Sequence, residues 1–279
     1  MRTIYYISGF PRAGTTLLAA LLRQNPRFHA AISSPVAPMC KSLLKIMGIK
    51  SEHATQFNDQ QKSDLLRGVI ENYYDFLPKD TIIFDTNRSW CAQMSLLHQL
   101  YESPKIICCV RNLAWVMDSF ERLAQRNPFM SSRLFNDESE SATVYSRTEA
   151  LGRGNRVVGY SISALREAFY GQFSASLLLV EYELFACFPQ KCLKLVYDFI
   201  EEDYFEHDTD NVEYEDSEFD RQIGIPNMHM VKKKVEFRQR KSILPPDIFK
   251  KYDSMNFWRK PSESLAKIIS QSSSDKESS

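Results

Sequence analysis

Four short apolar runs punctuate the chain: Thr3–Ser8, Thr81–Phe84, Lys105–Val110 and Ser176–Val180. Each is rich in aliphatic or aromatic residues and does not alternate with polar ones. This pattern predicts strands covered on both faces, as in a parallel sheet. Between the runs, apolar residues recur with helical spacing. The spacing predicts helices over Thr15–Arg23, Val36–Met47, Gln60–Leu77, Trp90–Tyr101, Ala114–Arg126, Val157–Tyr170 and Pro189–Ile200. Threonine hydroxyls open the first of these as prospective caps, and Pro189 sits at the favoured first turn of the last. Strands alternating with helices predict a three-layer α/β fold around a central parallel sheet. Ligands of such sheets gather at the carboxyl ends of the strands.

Composition narrows the class without choosing a function. The 279 residues, 43% of them hydrophobic, suffice for a large core. We expect one domain over 1–262 and a disordered polar tail over 263–279. Lys and Arg number 35 and Asp and Glu number 35, so no net charge draws the chain to nucleic acid. The charge is nevertheless uneven: residues 201–220 are strongly acidic and residues 232–241 strongly basic, both compatible with solvated surface. The six cysteines show no C-x-x-C pair, and the five histidines show no ligand spacing, so reduced thiols and no metal are expected. No secretory signal opens the chain and no run of about 18 apolar residues occurs, which points to the cytoplasm. Residues 127–156 are polar and irregular, in the style of a flap.

The first candidate chemistry follows the first apolar run, in ISGFPRAGTTLL at 7–18. Gly9 and Gly14 frame a turn between a predicted strand and a predicted helix. In such turns backbone N–H groups and the helix dipole converge on an anion. Glycines also punctuate ordinary strand-to-helix turns. The lysine of triphosphate-binding loops is absent; Arg12 lies inside the turn instead, and Thr15 and Thr16 follow it. A guanidinium offers a planar fork of donors to a phosphate-like anion.

This stretch resembles the 5′-phosphosulfate loop of sulfotransferases that use 3′-phosphoadenosine 5′-phosphosulfate (PAPS). It is most similar to the Pro-Arg-x-Gly-[Ser/Thr]-Thr form of tyrosylprotein sulfotransferases and their bacterial relatives. A second match lies at KIICCVRNLAWVMDSFER, 105–122, where Arg111 ends a strand and Ser119 follows on the next helix. It resembles the family's 3′-phosphate signature. LLLVEYELFACFPQKCLKLVYDFI, 177–200, resembles the strand ending in Tyr-Glu, with Tyr182 and Glu183 read as architectural or, alternatively, as direct acceptor contacts. The resemblance extends over roughly residues 3–260. It implies an α/β fold with a P-loop-like site and transfer of a sulfuryl group from PAPS to a hydroxyl acceptor, leaving 3′,5′-adenosine bisphosphate. It implies donor contacts from Pro11, Arg12, Ala13, Gly14, Thr15, Thr16, Arg111 and Ser119. It also implies a basic lid over 228–245, contributing Lys233 or a neighbour.

The resemblance breaks at the proton acceptor. The tyrosylprotein enzymes carry a glutamate after the first helix, whereas HAAISSPVAP at 29–38 has no acid, and Ser33 and Ser34 stand near that place. Asp85 in FDTNRSW is the substitute candidate, with Arg88 beside it as a sulfate or phosphate ligand. Asp85 reads equally as a helix cap or as an ion-pair partner of Arg88. His29 is the other candidate base. Two further readings stay open: a P-loop kinase, disfavoured by the absent lysine and by the Arg111/Ser119 pair, and a nucleotide-binding relative without catalysis.

Overall fold

The computed structural model describes residues 2–126, 134–212, 231, 233–260 and 263–270. Six strands form one parallel sheet: β1 (Ile4–Gly9), β2 (Phe28–Ala30), β3 (Ile82–Thr86), β4 (Ile106–Val110), β5 (Leu177–Glu181) and β6 (Lys267–Ile269). Their order is β2-β3-β1-β4-β5-β6. The chain builds to one side of β1 and then crosses to the other. That reversal opens a crevice at the carboxyl ends of β1 and β4, the position where such sheets take their ligands.

The four predicted strands are present with ends shifted by one or two residues. β3, β4 and β5 are buried throughout, which is why their sequences run apolar without alternation. Helices flank the sheet: α1 (Thr15–Leu22), α2 (Val36–Ile46), α3 (Asp59–Tyr73), α4 (Met94–Leu100), α5 (Leu113–Arg126), α6 (Glu138–Ser141), α7 (Val144–Gly152), α8 (Val157–Tyr170), α9 (Tyr182–Cys187), α10 (Pro189–Ile200) and α11 (Pro246–Asp253). The fold is thus the three-layer α/β arrangement expected.

Several local expectations are corrected. α1 takes no hydroxyl cap: its N-cap is Gly14 in the left-handed region, φ 92°, with no side-chain bond. Residues 138–152 are helical rather than irregular, because Asp137 and Thr143 cap α6 and α7 through their side chains. Residues 127–133 of that stretch lie outside the described residues. Strand β6 falls within the expected disordered tail. Its register on β5 (Leu178 with Lys267, Val180 with Ile269) shows that an open sheet edge, not its own pattern, recruits it. The rest of that tail, from 271, lies outside the described residues, as does the acidic block from 213. The described end of that block meets the basic one: Val212 N donates to Lys233 O at 2.6 Å, and Lys234 pairs with Asp210 at 2.8 Å.

One close approach positions the crevice. Gly9, at φ 152°, ends β1 against Cys109 of β4; a Cβ on it would lie 2.4 Å from the Cys109 carbonyl oxygen. The next residue, Phe10, donates its N–H to that oxygen at 3.0 Å and packs its ring on Trp258. Gly9→Ala is therefore expected to destabilise the fold by about 2–5 kcal/mol, combining backbone strain with overpacking. The control is Gly68→Ala in α3, where the nearest atom to a Cβ is 3.9 Å away. That change should stabilise by about 0.5–1 kcal/mol. Urea unfolding of both variants checks the contrast.

Candidate functional site

The turn after β1 owes its shape to two residues with positive φ, Arg12 at 63° and Gly14 at 92°. Glycine adopts such angles freely, while arginine holds one at a cost of order 1–3 kcal/mol, as functional turns often do. The turn delivers the chain to α1, whose first N–H groups have no partner within the helix. These groups carry no side-chain cap, and Thr15 and Thr16 line a cavity of about 950 Å³. Pro11, Arg12 and Gly14 also line that cavity, whereas Ala13 is buried beneath the turn.

The two sequence motifs meet here. Arg12 Nε donates to Ser119 Oγ at 3.1 Å, and Arg111 Nη1 donates to the Arg12 carbonyl at 3.2 Å. Both Arg111 and Ser119 line the cavity. Arg111 reaches it from the end of β4, stacked on the Tyr182 ring with 4.4 Å from its guanidinium carbon to the ring centre. Tyr182 also supports the turn, since a Cβ on Gly14 would lie 2.8 Å from its Cδ2. Behind Arg111 lies Glu183, with Oε1 3.5 Å from Nε. Burial raises the Glu183 pKa against the opposing pull of Arg111. Neither carboxylate oxygen of Glu183, nor Arg111 Nε, has a hydrogen bond.

The loop after β3 forms the other wall. Asn87 donates its N–H to Ile7 O at 2.9 Å and its side-chain amide to Ser34 O at 3.0 Å. Ser8 Oγ donates to Arg88 O at 3.0 Å. These bonds leave the Arg88 side chain open to the cavity, although protein surrounds it closely enough for desolvation to lower its pKa. No carboxylate pairs with Arg88 among the described residues. Ser33 lines the cavity beside it.

The structure does not bring Asp85 or His29 to this cavity. Asp85 is fully buried, its carboxylate accepting from Ser34 Oγ at 2.7 Å, Tyr74 OH at 2.6 Å and Trp90 Nε1 at 2.6 Å. Burial raises its pKa and the three donors oppose the rise. With every donor internal and no solvent face, Asp85 ties the start of α2 and the end of α3 to β3. Ser34, which stands near the place of the absent glutamate, is part of that anchor. His29 lies on β2, edge-on to Tyr74 and Phe76, with burial and Arg23 lowering its pKa. Lys233 also stays off the cavity; Lys234, Arg238 and Arg240 line it instead. Residues 228–230 and 232 of the expected lid lie outside the described residues.

A model described as "Sulfotransferase family" matches residues 5–206, more than half of the chain. The chain belongs to the sulfotransferase family. No curated protein matches it. Among solved structures, the sulfotransferase domain from the Synechococcus PCC 7002 olefin synthase is 19% identical, with 91% of this chain and 88% of that one covered and a TM-score of 0.46. The sulfotransferase domain from the curacin biosynthetic pathway is 15% identical, with 99% and 96% covered and a TM-score of 0.49. A sulfotransferase from Alicyclobacillus acidocaldarius is 13% identical, with 89% and 88% covered and a TM-score of 0.48.

Sequence reasoning favoured an architectural role for Tyr182, which lines the cavity of this sulfotransferase. The signal was available: Tyr182 follows β5 as Arg111 follows β4, and strand ends carry the ligands. Sequence reasoning missed Asn87, which occupies a loop without a distinguishing pattern, whereas Lys234, Arg238 and Arg240 fall in the basic segment expected to supply Lys233 or a neighbour. Among the described residues, no group of His, Cys, Asp and Glu could hold a metal ion, and no helix is long and apolar enough to cross a membrane.

Asp85→Ala is expected to lower stability by about 3–5 kcal/mol, because it leaves three buried donors without an acceptor. Urea unfolding measures this. A loss below about 1 kcal/mol would mean that the three donors find other partners.

Proposed function

We propose that this protein transfers a sulfuryl group from PAPS to a hydroxyl-bearing acceptor. The observation that carries the proposal is the junction of the two motifs, Arg12 with Ser119 and Arg111 with the Arg12 carbonyl, on one cavity. A nucleotide with charged groups at both its 3′ and 5′ positions needs two anion sites on one scaffold. The turn and the end of β4 supply two such sites.

The fit is supported by charge. Arg12, Arg88, Arg111, Arg126, Lys234, Arg238 and Arg240 line the cavity, against Glu236 as the carboxylate among its described lining residues. Arg111 lines the cavity with its Nε turned to Glu183, 3.5 Å away, so the rest of its guanidinium is what an incoming anion would meet. In this reading the N–H groups at the start of α1, with Pro11, Arg12, Ala13, Gly14, Thr15 and Thr16, form the 5′ site. Arg111 and Ser119 form the 3′ site, and the basic segment from Lys233 onward lies over both. When bound, PAPS supplies an activated sulfuryl group whose leaving group is 3′,5′-adenosine bisphosphate.

The chain's part is to hold charge and orientation. Thr15, Thr16 and the helix terminus present fixed donors, which need no reorganisation as negative charge shifts. Arg88, exposed on the opposite wall, is assigned to the sulfuryl oxygens. The cations of the chain neutralise the donor in this reading, with no metal required. Asp85 acts on the site through Ser34 and the start of α2, not by touching an acceptor.

Transfer of radiolabelled sulfate from PAPS to a panel of alcohols, phenols, sugars and hydroxylated lipids tests the activity. Calorimetry with 3′,5′-adenosine bisphosphate tests the site. Arg111→Ala should weaken that binding by about 10–100-fold, the worth of a charge-assisted contact. Arg88→Ala should lower kcat by about 10²–10³-fold while leaving bisphosphate affinity nearly unchanged. Stabilisation by ATP–Mg²⁺ but not by the bisphosphate would overturn the donor assignment in favour of phosphoryl transfer.

A further inference from the structure

Asp118 is the residue before Ser119 and, like Asp85, is fully buried. Its partners differ in kind. Arg122 Nε donates to its two oxygens at 3.0 and 3.2 Å, one helical turn along α5. The other contacts come from the far basic segment: Arg240 Nη2 lies 3.0 Å from Oδ1, and the Ile243 N–H donates to Oδ2 at 3.3 Å. Arg122 adds a bond from Nη2 to the Lys241 carbonyl at 2.6 Å. Arg240 also lies over the Trp115 ring, 5.7 Å from its centre.

The segment so held has no regular structure between Val235 and the start of α11. Its path over α5 therefore depends on side-chain ties, and Asp118 is the carboxylate at their centre. Arg240 meanwhile lines the cavity together with Arg111 and Ser119. Burial lowers the Arg240 pKa, and the nearby Arg111 and Arg122 add to this against the opposing pull of Asp118. One carboxylate thus gathers cations close to a site already read as cationic. A guanidinium has five N–H donors, so the contact through Nη2 leaves others for a ligand.

We infer that Asp118 is a positioning residue for the donor site: it anchors residues 240–243 to α5, so that Arg240 joins Arg111 and Ser119 around the 3′-phosphate of the nucleotide. The phosphate part of this inference rests on the donor reading above. The order Arg122, Asp118, Arg240, phosphate, Arg111 alternates in charge, and each ion is compensated by its neighbours. Desolvation inside the cavity strengthens such an arrangement, provided that every member is paired.

The test compares the unaltered protein with Arg240→Gln, Asp118→Asn and the double variant. Calorimetry uses two probes, 3′,5′-adenosine bisphosphate and adenosine 5′-monophosphate, which lacks the 3′-phosphate. Each single change should weaken bisphosphate binding by about tenfold and leave monophosphate binding unchanged. The double variant should bind the bisphosphate no more weakly than Arg240→Gln alone, because Asp118 acts through Arg240. In the ligand-free protein, Asp118→Asn should speed tryptic cleavage after Arg238, Arg240 and Lys241. Equal losses for both nucleotides would mark Asp118 as a general structural residue and overturn the inference. An unchanged cleavage rate would overturn the anchor. If the unaltered protein does not bind the bisphosphate, the donor reading fails and the phosphate role of Arg240 fails with it. The cleavage comparison then still decides whether Asp118 holds the segment.

Discussion

The contact between Gly9 and the backbone of Cys109 is the constraint on which the site depends. Parallel pairing of β1 with β4 brings two chain segments about a hundred residues apart side by side, and only a residue without a Cβ fits where they converge. From that point the two strands lead into different functional segments. β1 turns through Phe10 and Arg12 into α1, and β4 ends in Arg111 ahead of α5. Because the strand ends are in register, Arg111 can reach the Arg12 carbonyl and Arg12 can reach Ser119. The two motifs form one site because the sheet leaves them no other arrangement.

The family's sulfuryl chemistry is consistent with how charge is distributed around this junction. Cations face the cavity; Glu236, paired with Arg238, lines it too, while the acids beside the two motifs are withdrawn: Glu183 behind Arg111, Asp118 behind Arg240 and Ser119. Carboxylates in such positions orient guanidinium groups without contributing negative charge to the cavity surface. Asp85 follows the same logic one layer deeper, using hydroxyl and indole donors in place of arginines. A buried carboxylate is expensive unless each oxygen is bonded, and both oxygens of Asp85 are.

Much of the fold and part of the site were legible in the chain itself. Unbroken apolar runs mark buried strands because a strand covered on both faces has no solvent side to keep polar, so β1, β3, β4 and β5 stood out. β2 and β6 did not, since three-residue strands are held by the edge they join and carry no pattern of their own. The phosphate turn was legible because it demands glycines at fixed positions between a strand and a helix. Arg111 and Ser119 were legible through their spacing along one strand and one helix.

What the sequence by itself determined is the local chemistry: a glycine-framed turn carrying Arg12, Thr15 and Thr16, and an arginine at the end of a buried strand with a serine two helical turns beyond. Both follow from short-range backbone geometry, which neighbouring residues dictate. Only the tertiary structure decided which charges face the cavity. It buried Asp85 under three donors, moved His29 away to β2, replaced Lys233 by Lys234, Arg238 and Arg240, and drew Asp118 into contact with a segment 120 residues later. The direction in which a side chain points into or away from a cavity depends on packing between distant elements, and no local pattern records it.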